Sequence, residues 1–166
     1  SGTERQVVPE TAAADIEVIK KDGYRHYMEK EINEAAEVIR STVRGRVLTG
    51  EGRVELGGLR SMLPELRDIH RLTIVSCGSA SFAGRVGQWM LETYAGLPTE
   101  VEIGSEYRYR AMLGGPGTAV LAVTQSGETA DTLASIKRAK AEGLLTLGIV
   151  NVVGSSIARE TASGVY

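Results

Sequence analysis

Residues 119–129, AVLAVTQSGET, predict the class of fold, because an unbroken apolar run passes directly into a loop of small and hydroxyl-bearing residues. The run over 119–124 has no polar alternation, which predicts a strand that is buried on both faces of a sheet. Residues 128–142 then follow a helical pattern that ends at Gly143. A buried strand, a short loop and a helix together form the repeating unit of a parallel α/β sheet.

Similar strands precede and follow this unit. Residues 72–77 form a β-rich run, residues 100–103 a short second strand, and residues 145–150 another continuous apolar strand. The last residues, 163–166, have the pattern of a strand that is beginning, so we expect the chain to be a fragment of a longer polypeptide. Strands that alternate with helices predict an α/β fold, in which a parallel sheet is covered by helices on both faces.

The helices are predicted from the spacing of apolar residues. After the first strand, such residues recur at Phe82, Val86, Trp89 and Met90. This spacing indicates a helix, and we expect Trp89 and Met90 to lie in the core. Earlier in the chain, residues 24–43 predict an amphipathic helix and residues 59–69 a shorter one, whereas residues 1–20 have no period.

Composition excludes several classes of protein. The 166 residues carry a net charge of −2 with both signs scattered, which argues against a nucleic-acid partner. No apolar run approaches the length needed to span a membrane, so no membrane partner is predicted. The single cysteine, Cys77, cannot form an intramolecular disulfide, and we therefore expect a reducing, cytoplasmic location.

The loops after the first and third strands carry the candidate site. Each leads from a strand end into a helix, where unpartnered amide groups and the helix dipole attract an anion. Hydroxyl or amide donors are supplied by Ser79, Ser81, Thr124, Gln125, Ser126 and Thr129. Neither loop contains Lys or Arg, so a phosphate would be held by neutral donors. The alternative interpretation is that these Ser and Thr residues only cap the helices.

Other polar residues near the loops are given structural interpretations. Glu128 would repel a phosphate, so we expect it to interact with the helix dipole and to point away from the anion. Cys77 is interpreted as a packed apolar residue rather than a nucleophile. His26 and His70 have no acidic or cysteine partner at metal-ligand spacing. We therefore predict no metal, no cofactor and no catalytic residue in this chain.

Four ordered stretches of the sequence resemble one known family. They are YRHYMEKEI at 24–32, SEYRYR at 105–110, TQSGETADT at 124–132, and NVVGSS at 151–156 with the following Arg159 and Glu160. These stretches resemble signatures of the glutamine–fructose-6-phosphate aminotransferases, also called glucosamine-6-phosphate synthases. The resemblance implies a three-layer α/β sandwich with a parallel, flavodoxin-like sheet (an SIS domain), preceded by a helical segment. It further implies a linker or arm over 1–22, a helical lead-in over 23–70 and the first SIS subdomain over 71–166.

The resemblance also implies an activity. Enzymes of this family form glucosamine 6-phosphate from fructose 6-phosphate and glutamine, using a glutaminase domain that releases ammonia and two SIS subdomains that use it. The family's general base, ring-opening histidine and carboxyl-terminal lysine lie beyond the point where this chain stops. We therefore expect the fragment to bind fructose 6-phosphate or glucosamine 6-phosphate without catalysis. Its implied partners are a second copy in a homodimer, and the second SIS subdomain and glutaminase domain of the parent chain.

Site residues carry over by position. Gln125, Ser126 and Thr129 match positions that contact the substrate phosphate in the family, and Thr124 replaces a Ser while keeping the hydroxyl. The first loop adds Cys77, Gly78, Ser79 and Ser81 to the candidate binding residues. Ala80 stands where the family often has a phosphate-contacting Ser, so one donor is lost there.

Two alternative functions stay open on the sequence. One is a regulatory SIS module that senses a phosphosugar without chemistry, and the other is a deglycase-type phosphosugar isomerase with a different substrate. A second SIS repeat and a basic tail after Tyr166 would favour the synthase, whereas a preceding helix-turn-helix domain would favour the regulator.

Overall fold

The computed structural model describes residues 21–111 and 114–166, so the predicted linker over 1–22 lies almost entirely outside the described residues. The chain consists of two compact units, Ser1–Glu55 and Leu56–Tyr166. No helix within the described residues has the length and apolar character that crossing a membrane requires.

In the first unit, the described residues from 21 onward form a long helix and a small hairpin. Helix α1 (Tyr27–Val43) begins at Tyr27 rather than at residue 24, because the backbone of His26 is still extended. Two short antiparallel strands follow, β1 (Val47–Leu48) and β2 (Arg53–Val54), joined by a 3-10 turn at Thr49–Glu51. The helix predicted from the apolar spacing is therefore confirmed, with a start three residues later.

The second unit contains the sheet. Its elements in chain order are a 3-10 helix (Gly57–Met62), α2 (Leu63–Arg67), β3 (Arg71–Ser76), α3 (Ser79–Met90), a π turn (Leu91–Ala95), β4 (Thr99–Ile103), α4 (Gly104–Tyr107), β5 (Thr118–Thr124), α5 (Ala130–Ala141), β6 (Leu145–Val150), α6 (Ser156–Glu160) and β7 (Ser163–Val165). The strand order is β4-β3-β5-β6-β7, and every neighbouring pair is parallel. The predicted parallel, flavodoxin-like α/β fold is confirmed.

Alternating side chains of the central strand enter two separate cores. Val120 and Ala122 of β5 face the layer that contains α4, α5 and α6, where Ile136 is fully buried. Ala119 and Leu121 face the opposite layer, formed by α2, α3 and the 3-10 helix. Because both faces of β5 are covered, its sequence is apolar without alternation, as the fold of a doubly covered parallel strand requires.

The orientation of α3 corrects one prediction. Trp89 and Met90 are 58% and 48% exposed, so the expectation that they lie in the core is wrong. The helix packs on the sheet through its small residues instead. A Cβ on Gly84 would lie only 3.1 Å from Ile74 Cγ2 and 3.4 Å from Val101 Cγ1. This close approach of the α3 backbone to β3 and β4 leaves the large side chains on the outer face of the helix.

Two helix boundaries also differ from the sequence prediction. The single helix predicted over 59–69 is divided into the 3-10 helix and α2, and Pro64 lies in the first turn of α2. Proline has no amide hydrogen and fits only the first turn of an α-helix, so α2 starts there. Helix α5 begins at Ala130 rather than at residue 128, because Thr129 is extended with ψ of 114°.

Candidate functional site

The two predicted loops meet at the edge of the sheet formed by the carboxyl ends of the strands. Strands β3 and β5 are neighbours, with Val75 opposite Ala122, so the same register carries Cys77 to the side of Thr124. From β3 the chain crosses to β4 on one side, and it then returns to β5 on the other. In open α/β sheets this reversal of strand order creates the crevice in which ligands bind.

The first loop is shaped by Gly78, which precedes α3 with φ of +58°. Its carbonyl oxygen accepts hydrogen bonds from the backbone amide of Ser81 at 3.0 Å and from the Ser81 hydroxyl at 2.7 Å. Ser79, the first residue of α3, is exposed. The Cys77 sulfur lies 3.5 Å from Thr132 Oγ1 of α5, in agreement with its interpretation as a packed side chain. The loop therefore presents Ser79 and the start of α3 to solvent.

The second loop is closed by its own hydroxyl groups. The Gly127 amide donates to Thr124 Oγ1 at 3.3 Å, and the Glu128 amide donates to Ser126 Oγ at 3.2 Å. Thr124 is buried, whereas Gln125 and Ser126 are exposed and Thr129 is half-buried. Because Ser126 Oγ accepts from the backbone, its hydroxyl hydrogen can still be donated to a ligand.

Gly127 is held against the loop that follows β6. Its φ is +68°, and a Cβ at this position would overlap Oγ of the buried Ser155. The Gly127 carbonyl accepts from the backbone amide of Ile157 at 2.9 Å. Only glycine combines this left-handed conformation with the close approach to Ser155.

Glu128 lies before Thr129, the residue that precedes α5, so the predicted interaction with the dipole of that helix is replaced by a contact with the start of α6. Its carboxylate accepts a hydrogen bond of 2.8 Å from the backbone amide of Ser156, the first residue of α6. The side chain of Ser156 and then its backbone amide, aided by the positive charge of Arg159, hold the pKa of the Glu128 carboxyl below its usual range. The group is therefore ionised at neutral pH.

The charge around the crevice comes from helix ends rather than from cationic side chains in the loops. Helices α3 and α5 are each twelve residues long, and both begin at the loops, so their positive dipole ends face the crevice. Asp131, in the first turn of α5, is paired with Arg108 at 2.7 Å. The Arg138 guanidinium in turn donates to the Arg108 carbonyl at 2.6 Å. The ion pair with Arg108 therefore offsets the negative charge of Asp131 near the start of α5.

One neighbour of the site was not assigned from the sequence. The segment 151–156 resembles a family signature, but its residue types alone indicated no role in the site. Because β6 is the direct neighbour of β5, the end of β6 places this segment beside the second loop, with the Asn151 amide 3.4 Å from the Thr124 carbonyl. One signal in the sequence could have indicated this neighbour. Two consecutive predicted strands, 119–124 and 145–150, are joined by one helix, and such strands often pair in a parallel sheet.

Comparison with known proteins identifies the class first. A family model described as the SIS domain matches residues 65–166, and the chain belongs to this family. Similarity to individual proteins is more informative than the match to the family model. The chain is 46% identical over 151 residues to the glutamine–fructose-6-phosphate aminotransferase [isomerizing] of Chlorobaculum tepidum, covering 91% of this chain and 25% of that protein. It is 41% identical over 165 residues to the protein of the same name from Methanosarcina acetivorans, covering 99% of this chain and 27% of that protein.

A solved structure agrees with these relatives. The C-terminal domain of glucosamine-fructose-6-phosphate aminotransferase from Francisella tularensis superimposes with a TM-score of 0.78 at 36% identity, covering 87% of this chain and 40% of that chain. The resemblance predicted from the four sequence stretches is therefore confirmed. The chain spans about a quarter of the length of the curated relatives that it matches.

Proposed function

We propose that the crevice between β3 and β5 binds the phosphate group of a sugar phosphate, and that the chain is part of the isomerase domain of a glutamine–fructose-6-phosphate aminotransferase. The observation that carries the proposal is the pair of loops at the switch point, each of which begins a twelve-residue helix. Relatives whose name contains fructose 6-phosphate support this sugar phosphate as a ligand, and the family resemblance implies glucosamine 6-phosphate as a second one.

The eight candidate residues divide into two proposed roles. Exposed or half-buried donors contact the phosphate directly, namely Ser79, Gln125, Ser126 and Thr129. The others hold the loop backbone in place so that its amide groups face the anion, namely Cys77, Gly78, Ser81 and Thr124. Neutral donors that are already fixed in position bind an anion without the cost of ordering long cationic side chains.

The fragment binds the substrate but does not catalyse the reaction in this proposal. An isomerase needs a base with a pKa near neutrality that can reach the reacting carbon. The carboxylates within and just after the second loop, Glu128 and Asp131, are hydrogen-bonded to Ser156 and Arg108. The parent enzyme would form glucosamine 6-phosphate from fructose 6-phosphate and glutamine in the cytoplasm, with its base supplied by another part of the chain.

The proposal is tested by titrating the chain with fructose 6-phosphate, glucose 6-phosphate and inorganic phosphate, each followed by calorimetry. We expect Ser126→Ala to weaken all three about tenfold or more, because a hydrogen bond to a charged group contributes roughly 1.5–3 kcal/mol. Ser61→Ala is the matched control, since Ser61 is an exposed serine in the 3-10 helix. Equal affinity of the Ser126→Ala variant and the unchanged chain would show that the site lies elsewhere.

The same experiment separates the alternative functions. Preference for fructose 6-phosphate over glucose 6-phosphate would support the synthase, while tight binding of a different phosphosugar would favour the sensor or another isomerase. Addition of ammonia and fructose 6-phosphate tests the catalytic half of the proposal. Formation of glucosamine 6-phosphate by these 166 residues would contradict it.

We also propose that the chain forms a homodimer through the outer face of α3. Phe82, Trp89 and Tyr94 are 69%, 58% and 74% exposed, and the rings of Trp89 and Tyr94 pack edge to face at 5.7 Å. Aromatic side chains of roughly 200 Å² each, two-thirds exposed, would bury about 400 Å² per copy. With the neighbouring Val86 and Met90, two copies would bury about 1,000 Å² in total, which is the lower limit for a stable interface.

A further inference from the structure

The loop after β5 and the loop after β6 are joined by three contacts that involve two consecutive residues, Gly127 and Glu128. The Glu128 carboxylate accepts from the Ser156 amide at 2.8 Å, and the Gly127 carbonyl accepts from the Ile157 amide at 2.9 Å. The third contact is the packing of Ser155 under the Cα of Gly127. Together they fasten the centre of the second loop to the start of α6.

The start of α6 depends on Glu128 rather than on its own cap residue. Ser155 occupies the position before the helix, where a serine hydroxyl ordinarily accepts from an amide of the first turn. Here it makes no such bond. Its Oγ is buried under Gly127 and has no hydrogen-bond partner among the described residues. The Glu128 carboxylate takes over this function from a different loop, across 28 residues of chain.

The position of Glu128 is unexpected for a residue beside an anion site. Coulomb repulsion between a carboxylate and a bound phosphate would weaken binding, so a neutral residue would suit the charge of the ligand better. A carboxylate at this position therefore needs a structural reason. The contact with Ser156, reinforced by the nearby Arg159, supplies one, because it turns the charge away from the crevice.

We propose that Glu128 is a positioning residue, whose carboxylate fixes the second loop against the start of α6 and so holds Ser126 and the first amides of α5 in the geometry that receives the phosphate. This inference rests on the proposed function. Glu128 does not touch the anion. It acts through Gly127 and Ser126, since the Glu128 amide is bonded to Ser126 Oγ and its carboxylate is bonded to Ser156. A loop that is ordered before the ligand arrives binds more tightly than one that must be ordered on binding.

The test compares Glu128→Ala, which removes both the charge and the contact, with Glu128→Gln, which removes the charge but keeps an oxygen that can accept from the Ser156 amide. Glu142→Ala is the control, because Glu142 is an exposed carboxylate at the other end of α5. The probe is inorganic phosphate, and affinity is measured well below the melting temperature of each variant. We expect Glu128→Ala to bind about tenfold more weakly, Glu128→Gln to recover most of that loss, and Glu142→Ala to bind as the unchanged chain does.

Two results of the binding measurement would overturn the inference. If Glu128 affects binding only through its charge, both Glu128→Ala and Glu128→Gln will bind phosphate more tightly than the unchanged chain. If Glu128 serves only general stability, the melting temperature of Glu128→Ala will fall while its phosphate affinity stays the same. Weaker binding, tighter binding and unchanged binding of phosphate by Glu128→Ala therefore correspond to positioning, to charge alone and to general stability.

Amide hydrogen exchange without ligand distinguishes failure of this inference from failure of the proposed function. We expect faster exchange at residues 125–129 and at Ser156 in Glu128→Ala, with exchange in the middle of α3 unchanged. If the unchanged chain binds no phosphate but this exchange pattern appears, the proposed function is wrong and the link between the loops is upheld. If exchange at these amides is unaltered, Glu128 does not position the loop.

Discussion

Gly127 is the residue at which local conformation and tertiary packing impose the same requirement. Its φ of +68° is unfavourable for every residue with a side chain, and the space that a Cβ would need is occupied by Ser155. The sequence shows a glycine between Ser126 and Glu128, which is compatible with a flexible loop. In the structure this loop is a closed turn, in which the amide and the carbonyl of Gly127 are both hydrogen-bonded.

We predict that Gly127→Ala destabilises the chain by more than left-handed strain alone, which is roughly 1–3 kcal/mol. Gly143→Ala is the matched control, since Gly143 has a φ of +75° but a Cβ added there would meet no atom within 4 Å. Urea unfolding of the two variants measures the difference. Equal losses of unfolding free energy would show that the contact with Ser155 adds nothing.

Part of the role of the loop residues could be predicted from the sequence. Strand ends followed by Ser, Thr and Gly indicate helix starts that can receive an anion, and this follows from the residue types alone. The hydrogen bonds that the Ser81 and Thr124 hydroxyls make within their own loops could not be predicted. They depend on the backbone angles of Gly78 and of the second loop.

At the scale of elements, α3 shows why an apolar pattern identifies a helix more readily than its buried face. Apolar residues at helical spacing correctly predicted a helix over this part of the chain. The prediction that the large residues pack inward was wrong, because Gly84 and Ser81 allow the helix backbone to approach the sheet more closely than a large side chain could. A stripe of small residues on a helix is an equally good packing face when a neighbouring element comes close.

We predict that Trp89→Lys weakens self-association of the chain by at least tenfold in dissociation constant, because Trp89 is exposed, packs against Tyr94 in the proposed interface, and large aromatic residues dominate interface energies. Sedimentation equilibrium measures this. Val54→Lys serves as the control, since Val54 is 63% exposed on the hairpin of the first unit. A chain that is monomeric before any substitution would contradict the proposed dimer.

At the scale of the whole molecule, the strand order creates the candidate site. The two loops are separated in the chain by the elements from α3 to β5, yet the crossing from β3 to β4 and back to β5 makes them neighbours. Both hydrophobic clusters and the five strands of this sheet belong to the unit that begins at Leu56.

We predict that residues 56–166 alone unfold in one cooperative transition and bind inorganic phosphate as well as the full chain does, because the sheet, its cores and both loops are contained in that unit. Thermal unfolding followed by circular dichroism, together with phosphate titration, measures both properties. A truncated chain without a cooperative transition would mean that residues before 56 are required for folding.

The class of fold and the location of the loops could be predicted from local patterns, since unbroken apolar strands and hydroxyl-rich strand ends are properties that neighbouring residues specify. Two further features arise only when the chain folds: which face of α3 is buried, and which group donates a hydrogen bond to the Glu128 carboxylate. Both depend on contacts between residues far apart in the chain, Gly84 with Ile74 and Glu128 with Ser156. Such contacts follow from the order of the strands and the distance between layers, which no local pattern encodes.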